Sequence, residues 1–340
     1  LSLLLQVTLP ASAGIPNSRG DFGNNNIWDN VGDMVNSGIE FDVNGLIIDK
    51  PNLQWRVGFN ISTNKNEVKS ISSEIDASGD GIREKLTFTK KGLPIGTYFM
   101  ADYAGVDPQR GIPMIREVDL EKVANEGIYE FTGNIIPASE NNARSHKIPI
   151  LGKNALPQWF GGFNNTVTYK NLDFGIDVYF QGGNYIYNRF AMAAAFPRDG
   201  SNGVFSEILD NSWKQPGDIA EYPQLTAGQR FEYDDEGNPS TAQIFVGNNG
   251  YNTQFLEKGD YLRLRNVSVG YTLPERIVNK VFLNNARIYM SATNLLTITK
   301  FSGYDPEMTL LNNSNFRGIE FNGRELPQSK IFSIGLDLRF

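Results

Sequence analysis

The last nine residues, FSIGLDLRF, place Phe332, Ile334, Leu336, Leu338 and Phe340 on one side of an extended chain and Ser333, Gly335, Asp337 and Arg339 on the other. The same period of two runs through the whole sequence. WRVGFNIST separates Trp55, Val57, Phe59 and Ile61 from Arg56, Gly58, Asn60 and Ser62, and LDFGIDVYF separates Leu172, Phe174, Ile176, Val178 and Phe180 from Asp173, Gly175, Asp177 and Tyr179. ARIYMSATN isolates Ile288, Met290 and Ala292, and GIEFDVNG isolates Ile39, Phe41 and Val43. A helix would scatter such a pattern around its axis, so these segments are strands with one apolar and one wet face, as in antiparallel sheets. The fold class is therefore all-β. A wet face rich in Asp, Arg, Asn and Gly suits either the outside of a soluble sandwich or the lumen of a membrane barrel whose apolar face meets lipid. Alternation alone does not separate the two.

DYLRLRNVSVGYTLP breaks the rhythm informatively. Leu262 and Leu264 share one parity while Val267, Val269 and Tyr271 share the other, so a bulge at Arg265-Asn266 is expected to restore a single apolar face. Roughly ten to twelve strands of barrel length can be drawn. Some connections are tight, at Lys50-Pro51 and at Lys170-Asn171. Others, 14–36, 107–158 and 184–250, are long, polar and rich in Gly, Asn and Pro. Short turns at one end and long loops at the other are the asymmetry of an outer-membrane barrel. Within the longest loop, Phe205, Ile208, Leu209 and Trp213 recur at helical spacing, which predicts one short helix ending before Pro216-Gly217. Aromatics flank many runs, among them Trp55, Tyr98, Phe99, Trp159, Phe160, Tyr185, Tyr187, Tyr271 and Phe340. Interfacial girdles and core packing both account for that placement.

Composition removes several functions. With 31 basic against 38 acidic residues, a net charge of −7 leaves no concentrated basic face, so nucleic acid is not an expected partner. Cysteine is absent and His146 is the single histidine, which takes away disulfides, Cys/His zinc sites and a serine triad with a spare histidine. In NNARSHKIP that histidine reads as a solvated loop residue. No acidic pair stands out as a glycosidase dyad, so no enzyme activity is expected and no cofactor is implied. No apolar run approaches the length of a membrane helix, but a membrane strand needs only about 9–11 residues. The opening LSLLLQVTLP reads as a strand ending at Pro10; the A-x-A-like stretch Ala11 to Ala13 lacks the basic region and initiator Met of a secretory leader. A chain opening mid-strand is expected to be part of a longer one.

Candidate binding residues are few. Asp76, Ser78, Asp80 and Gly81 occupy positions 1, 3, 5 and 6 of a calcium-type loop, but Thr87 stands where such a loop needs a bidentate Glu. A Gly-containing hairpin loop accounts for the same residues. Ser18 to Asp21 (SRGD), Asp107 to Gly111 and Asp234 to Asn238 are polar turn chemistry by the same argument.

Taken in order, several stretches resemble the C-terminal part of SusC/RagA-type TonB-dependent transporters of the Bacteroidetes outer membrane. They are NVGDMVNSGIEFDVNG with LQWRVGFNISTNKNEV, GLPIGTYFMADYAGVDPQRGIP, ILGKNALPQWFGGFNNTVTYKNLDFGIDVYFQGGNYIYN, DNSWKQPGDIAEYPQL, GDYLRLRNVSVGYTLP, IYMSATNLLTITKFSGYDPEM and the closing FSIGLDLRF. The resemblance implies that residues 1–340 are the C-terminal part of a transmembrane antiparallel barrel of 22 strands with long extracellular loops. The N-terminal plug domain and the TonB box would lie outside these residues. It implies localisation in the outer membrane and import of oligosaccharides, or of peptides in the RagA-like branch. The implied partners are a SusD-like surface lipoprotein, the TonB-ExbB-ExbD system, the outer-membrane insertion machinery and the lipid bilayer. Ligand contacts would come from loop aromatics such as Trp28, Trp159 and Tyr185, each of which also suits a girdle or loop-packing role. Phe332, Ile334, Leu336, Leu338 and Phe340 would form the terminal strand read during insertion. A secreted or surface sandwich that binds glycan without transport is the remaining alternative.

Overall fold

A computed structural model describes residues 2–9, 25–195, 204, 206–225, 232–233, 236, 239–240, 251–310, 317–320 and 327–340. Its largest element is a seven-stranded antiparallel sheet. In chain order the strands are β1 (Glu40–Lys50), β2 (Leu53–Thr63), β3 (Trp159–Tyr169), β4 (Leu172–Gly182), β5 (Tyr261–Thr272), β6 (Asn285–Thr299) and β7 (Ile331–Arg339). Each pairs with its sequence neighbours, so the sheet is a simple meander.

Pairing turns the local alternation into rows that cross the sheet. One row runs Trp55, Val167, Phe174, Val269, Met290, Ile334, and the next apolar row runs Leu53, Tyr169, Leu172, Tyr271, Ile288, Leu336. Between them lie Gln54, Thr168, Asp173, Gly270, Tyr289 and Gly335. The expected bulge is present. Asn266 faces Asp177 while Leu264 faces Val178, so Arg265 is the extra residue and the apolar face stays continuous across β5. On β6 the same irregularity places Asn294 in the left-handed region, at φ 54°.

That apolar face is uncovered. Phe41 is 54% exposed, Met290 59%, Ile334 77% and Phe340 87%, so among the described residues no second sheet packs on it as a sandwich would require. The buried core lies in the connections instead. Leu86, Tyr98, Met100, Tyr187, Phe255 and Ile319, drawn from all three long connections, form its main cluster.

The two ends of the sheet differ sharply. At one end Pro51-Asn52 joins β1 to β2, Lys170-Asn171 joins β3 to β4, and a segment with the short helix Glu275–Val278 joins β5 to β6. The chain ends there too, because Arg339 pairs with Asn285. The long connections 64–158, 183–260 and 300–330 all leave from the opposite end.

Several expectations for those connections are corrected. Segment 107–158 is folded: Pro113–Val118, Phe131–Pro137 and Lys147–Asn154 are strands, and Leu120–Glu126 and Glu140–Ser145 are helices capped by Asp119 and Ser139. Segment 14–36 holds most of the strand Asn25–Ser37, which extends the β1–β2 hairpin by pairing with Lys65–Ile71 and with Ser2–Leu9. The predicted helix exists as Ser206–Asn211, with Ile208 buried and Leu209 exposed; Phe205 lies outside the described residues. Among the described residues it is accompanied by four other α-helices of four to seven residues, too short to display a helical period. His146 is 8% exposed rather than solvated, because its Nδ1 accepts a hydrogen bond from the Val118 amide (3.1 Å) below the helix it terminates. For Tyr98, Phe99 and Tyr187, where girdle and core packing are both open from the sequence, the structure decides for the core of the connections. SRGD at 18–21 lies outside the described residues, as does most of 234–238.

Tyr98 ties the connections together. Its hydroxyl donates to the Tyr185 carbonyl (2.7 Å), with the Gly318 carbonyl 2.9 Å away, and burial pushes its ionisation well above the usual range. Gly318 adopts φ 77°, and a Cβ there would sit 2.1 Å from the Tyr98 oxygen, so only glycine admits this contact. On the polar face a second glycine acts by space alone. The Tyr289 ring lies over Gly335 across the β6–β7 ladder, where an added Cβ would approach it to 2.2 Å. Gly335→Val is therefore expected to displace Tyr289 and cost roughly 1–3 kcal/mol through overpacking. The check is the temperature at which the folded, fast-migrating gel band converts to the unfolded one, which should fall for Gly335→Val and recover partly when Tyr289→Ala is added.

Candidate functional site

The polar face is walled by amides and carboxylates brought together by register. One row runs Asn44, Gly58, Asn164, Asp177, Asn266, Thr293, and the row toward the long connections runs Asp42, Asn60, Gly162, Tyr179, Arg263, Thr297. Near the short-turn end, Arg287 of β6 reaches across β5 to Asp173 of β4, with Nε 3.0 Å from one carboxylate oxygen and Nη2 on the other. Gly270 makes the reach possible, since a Cβ there would collide with both groups.

The densest part of the wall is a charge network at the loop end. Arg263 has a side chain only 2% exposed; it donates to Asp305 (2.6 Å), to Glu307 and to the Thr297 hydroxyl (3.0 Å). Glu307 also accepts from the Tyr261 hydroxyl and from Arg265. Arg265 stacks on Tyr179, its guanidinium carbon 4.5 Å from the ring centroid. Asp305 takes the backbone N–H of Glu307 (2.9 Å) and of Gln328 (3.2 Å), so the network pins the 300–330 connection to the polar wall.

This network contains none of the binding candidates drawn from the sequence. The one sequence signal was the phase slip at Arg265-Asn266, which marks the bulge but not its partners 42 residues away. Trp159 opens β3 on the apolar face, its ring tilted against Phe180 with centroids 6.1 Å apart, and borders a cleft of about 860 Å³ with Asn64, Lys65 and Gln158. Tyr185 packs instead on the core of the connections, with the Lys153 ammonium 5.4 Å from its ring. Trp28 falls within Asn25–Ser37, and its side chain lies outside what is described. Trp159 and Tyr185 therefore sit in different surroundings. Asp76 closes its own turn by accepting the Gly81 amide (3.0 Å), and Ser78 is exposed. Among the described residues no three His, Cys, Asp or Glu side chains converge to hold a metal ion. Phe332, Ile334, Leu336 and Leu338 project from β7 on the apolar face, and Phe340, just past its end, is 87% exposed.

Glu320 is the buried acid nearest this network, 3% exposed on a short strand of the last connection. One oxygen accepts the Tyr304 amide (2.7 Å), and the other has no partner among the described residues. Burial, with repulsion from Glu257 and Asp305, raises its ionisation above the ordinary carboxylate value.

Two predictions follow from these charges. Arg263→Ala should strand Asp305 in a buried site and lower stability by about 3–5 kcal/mol, read as an earlier heat conversion of the folded band. Because Glu320 ionises more readily unfolded than folded, its contribution is complete below the ordinary carboxylate value and declines as pH rises toward the raised one. Glu320→Gln should flatten that decline, as measured by protease resistance of the connections between acid and neutral pH.

Comparison with known proteins bears on this architecture. No family model matches the chain. TonB-dependent receptor P3 of Formosa agariphila is 26% identical over 333 residues, covering 92% of this chain and 29% of that protein. TonB-dependent receptor SusC of Bacteroides thetaiotaomicron is 22% identical over 325 residues, covering 92% and 27%. The solved RagAB peptide transporter superposes with a TM-score of 0.69 at 21% identity, over 99% of this chain and 32% of that one. This chain thus spans about a third of the length of the proteins it matches. Its likeness to SusC/RagA-type TonB-dependent receptors holds in both sequence and fold, and its β-rich architecture matches that of the RagAB transporter.

Proposed function

We propose, from this likeness to SusC/RagA-type TonB-dependent receptors, that the chain is the C-terminal part of a 22-stranded outer-membrane barrel that imports oligosaccharides. In this reading the apolar face of β1–β7 meets lipid, the polar face lines the lumen, and the long connections stand on the extracellular side. The plug and the TonB box belong to the rest of a longer polypeptide, a SusD-like lipoprotein covers the extracellular mouth, and the TonB system supplies energy. No covalent chemistry is needed: ligand is held by lumenal and loop side chains and released inward. β7, with its five exposed apolar side chains, is the strand that the insertion machinery reads.

One observation carries the reading. A meander with strands of 9–15 residues keeps one whole face apolar and uncovered while its connections build a buried core of their own. In water that arrangement forfeits the burial that stabilises a soluble sheet; against lipid it does not, because the backbone of the inner strands is paired along the ladder except at its bulges. A RagA-like peptide importer is the second reading, favoured by the peptide transporter among the structural matches. A soluble glycan-binding sandwich is disfavoured by the uncovered face.

The test is recovery of the native protein. It is expected in the outer-membrane fraction, soluble only with detergent, heat-modifiable on gels, and with an intact mass more than twice 37.9 kDa. Uptake of labelled oligosaccharide that stops on its deletion would establish the substrate class, and uptake of peptide alone would select the second reading. A native protein that stays soluble without detergent would end the transport proposal.

A further inference from the structure

The bulge in β5 does more than restore the apolar face. Regular alternation would turn Asn266 away from Arg265, but the register shift sets Asn266 opposite Asp177 on the polar face, beside the extra residue. Arg265 is held there from one side only. Its plane is fixed by stacking on Tyr179, Nη2 is taken by Glu307, and its remaining N–H donors have no partner among the described residues. With 47% of its side chain exposed, it is the open member of a network whose other cation, Arg263, is buried. Asp177 is exposed next to it and takes only a long hydrogen bond from the Asn266 amide (3.4 Å).

We infer that Arg265, Asn266 and Asp177 form a lumenal subsite for a carboxylate that carries a hydrogen-bond donor beside it. A guanidinium held flat against a ring presents a pre-organised fork, and carboxylates match that fork with two parallel bonds. Capture of a second carboxylate leaves nothing stranded, because Glu307 remains held by Arg263 and Tyr261. Asp177 sets the second requirement. It repels a bare anion and accepts a hydroxyl or amide N–H placed next to the acid, so charge alone is not sufficient. Acidic oligosaccharides, with hydroxyls beside each uronate, and peptides, with an amide beside the terminal carboxylate, share this chemistry. The inference rests on the polar face being the lumen of the importer proposed above.

The experiment measures equilibrium binding to the native detergent-solubilised protein. The probes are an oligogalacturonate trimer and its neutral methyl ester, and an acidic tripeptide and its C-terminal amide with neutral side chains. One acid form should bind tighter than its neutral partner, and which one identifies the source. Arg265→Gln should weaken that acid roughly 10- to 100-fold and its neutral partner less than about 2-fold. Arg265→Lys should restore only part of the loss, since it keeps the charge without the fork. Glu307→Gln, which removes the competing charge, should tighten acid binding, whereas a purely structural role for Arg265 would weaken it in both variants. Arg265→Gln and Arg265→Lys should keep the wild-type heat-modifiable band, and Glu307→Gln should still give a folded band that converts earlier, because buried Arg263 keeps Asp305 as its one remaining carboxylate. Equal binding of acid and neutral forms, or unchanged acid binding by Arg265→Gln, would overturn the subsite while leaving the importer intact. A native protein absent from the outer membrane would overturn both.

Discussion

The hydrogen-bonded ladder from β1 to β7 is the constraint on which everything else depends. Each strand pairs only with its sequence neighbours, so main-chain polar groups are satisfied within the sheet and the side chains are free to sort by face. That sorting leaves an apolar surface of Phe41, Met290, Ile334 and their row-mates without a packing partner among the described residues. A sheet whose stability came from burying that face would have to fold over on itself. Here the ladder, the polar wall and the core of the connections supply the order instead.

The polar wall shows how charge is used where packing is not. Arg287 and Asp173 brace three strands near the short turns, and Arg263 with Asp305 and Glu307 braces the last long connection at the other end. The second brace is costly, because Arg263 is withdrawn from water. Its carboxylates lie on a connection rather than a strand, so the cost is met by fixing that connection over the wall. The three connections in turn meet at the Tyr98 hydroxyl, which donates to the Tyr185 carbonyl with the Gly318 carbonyl beside it.

The readings that held were local ones. Strand faces, the bulge at Arg265, the tight turn at Lys170-Asn171 and the difference between the two ends could all be drawn because a period of two is visible within nine residues. The readings that failed were those that needed a partner. His146 lies in a polar stretch yet is buried, because Val118 comes to it from another strand. For Tyr98 and Tyr187 the sequence leaves girdle and core both open, and only the packing of residues from three connections decides for the core.

By itself, then, the sequence determined an all-β chain of one-faced strands with one bulge and two unlike ends, since each follows from side-chain parity along a single extended segment. Only the tertiary structure decided what lies opposite what. The network joining Arg263 and Arg265 to Asp305 and Glu307, the clearance of Gly335 under Tyr289, and the shared core of three separate connections unite residues tens of positions apart or on different strands. No period links such residues, and register, not composition, brings them within reach.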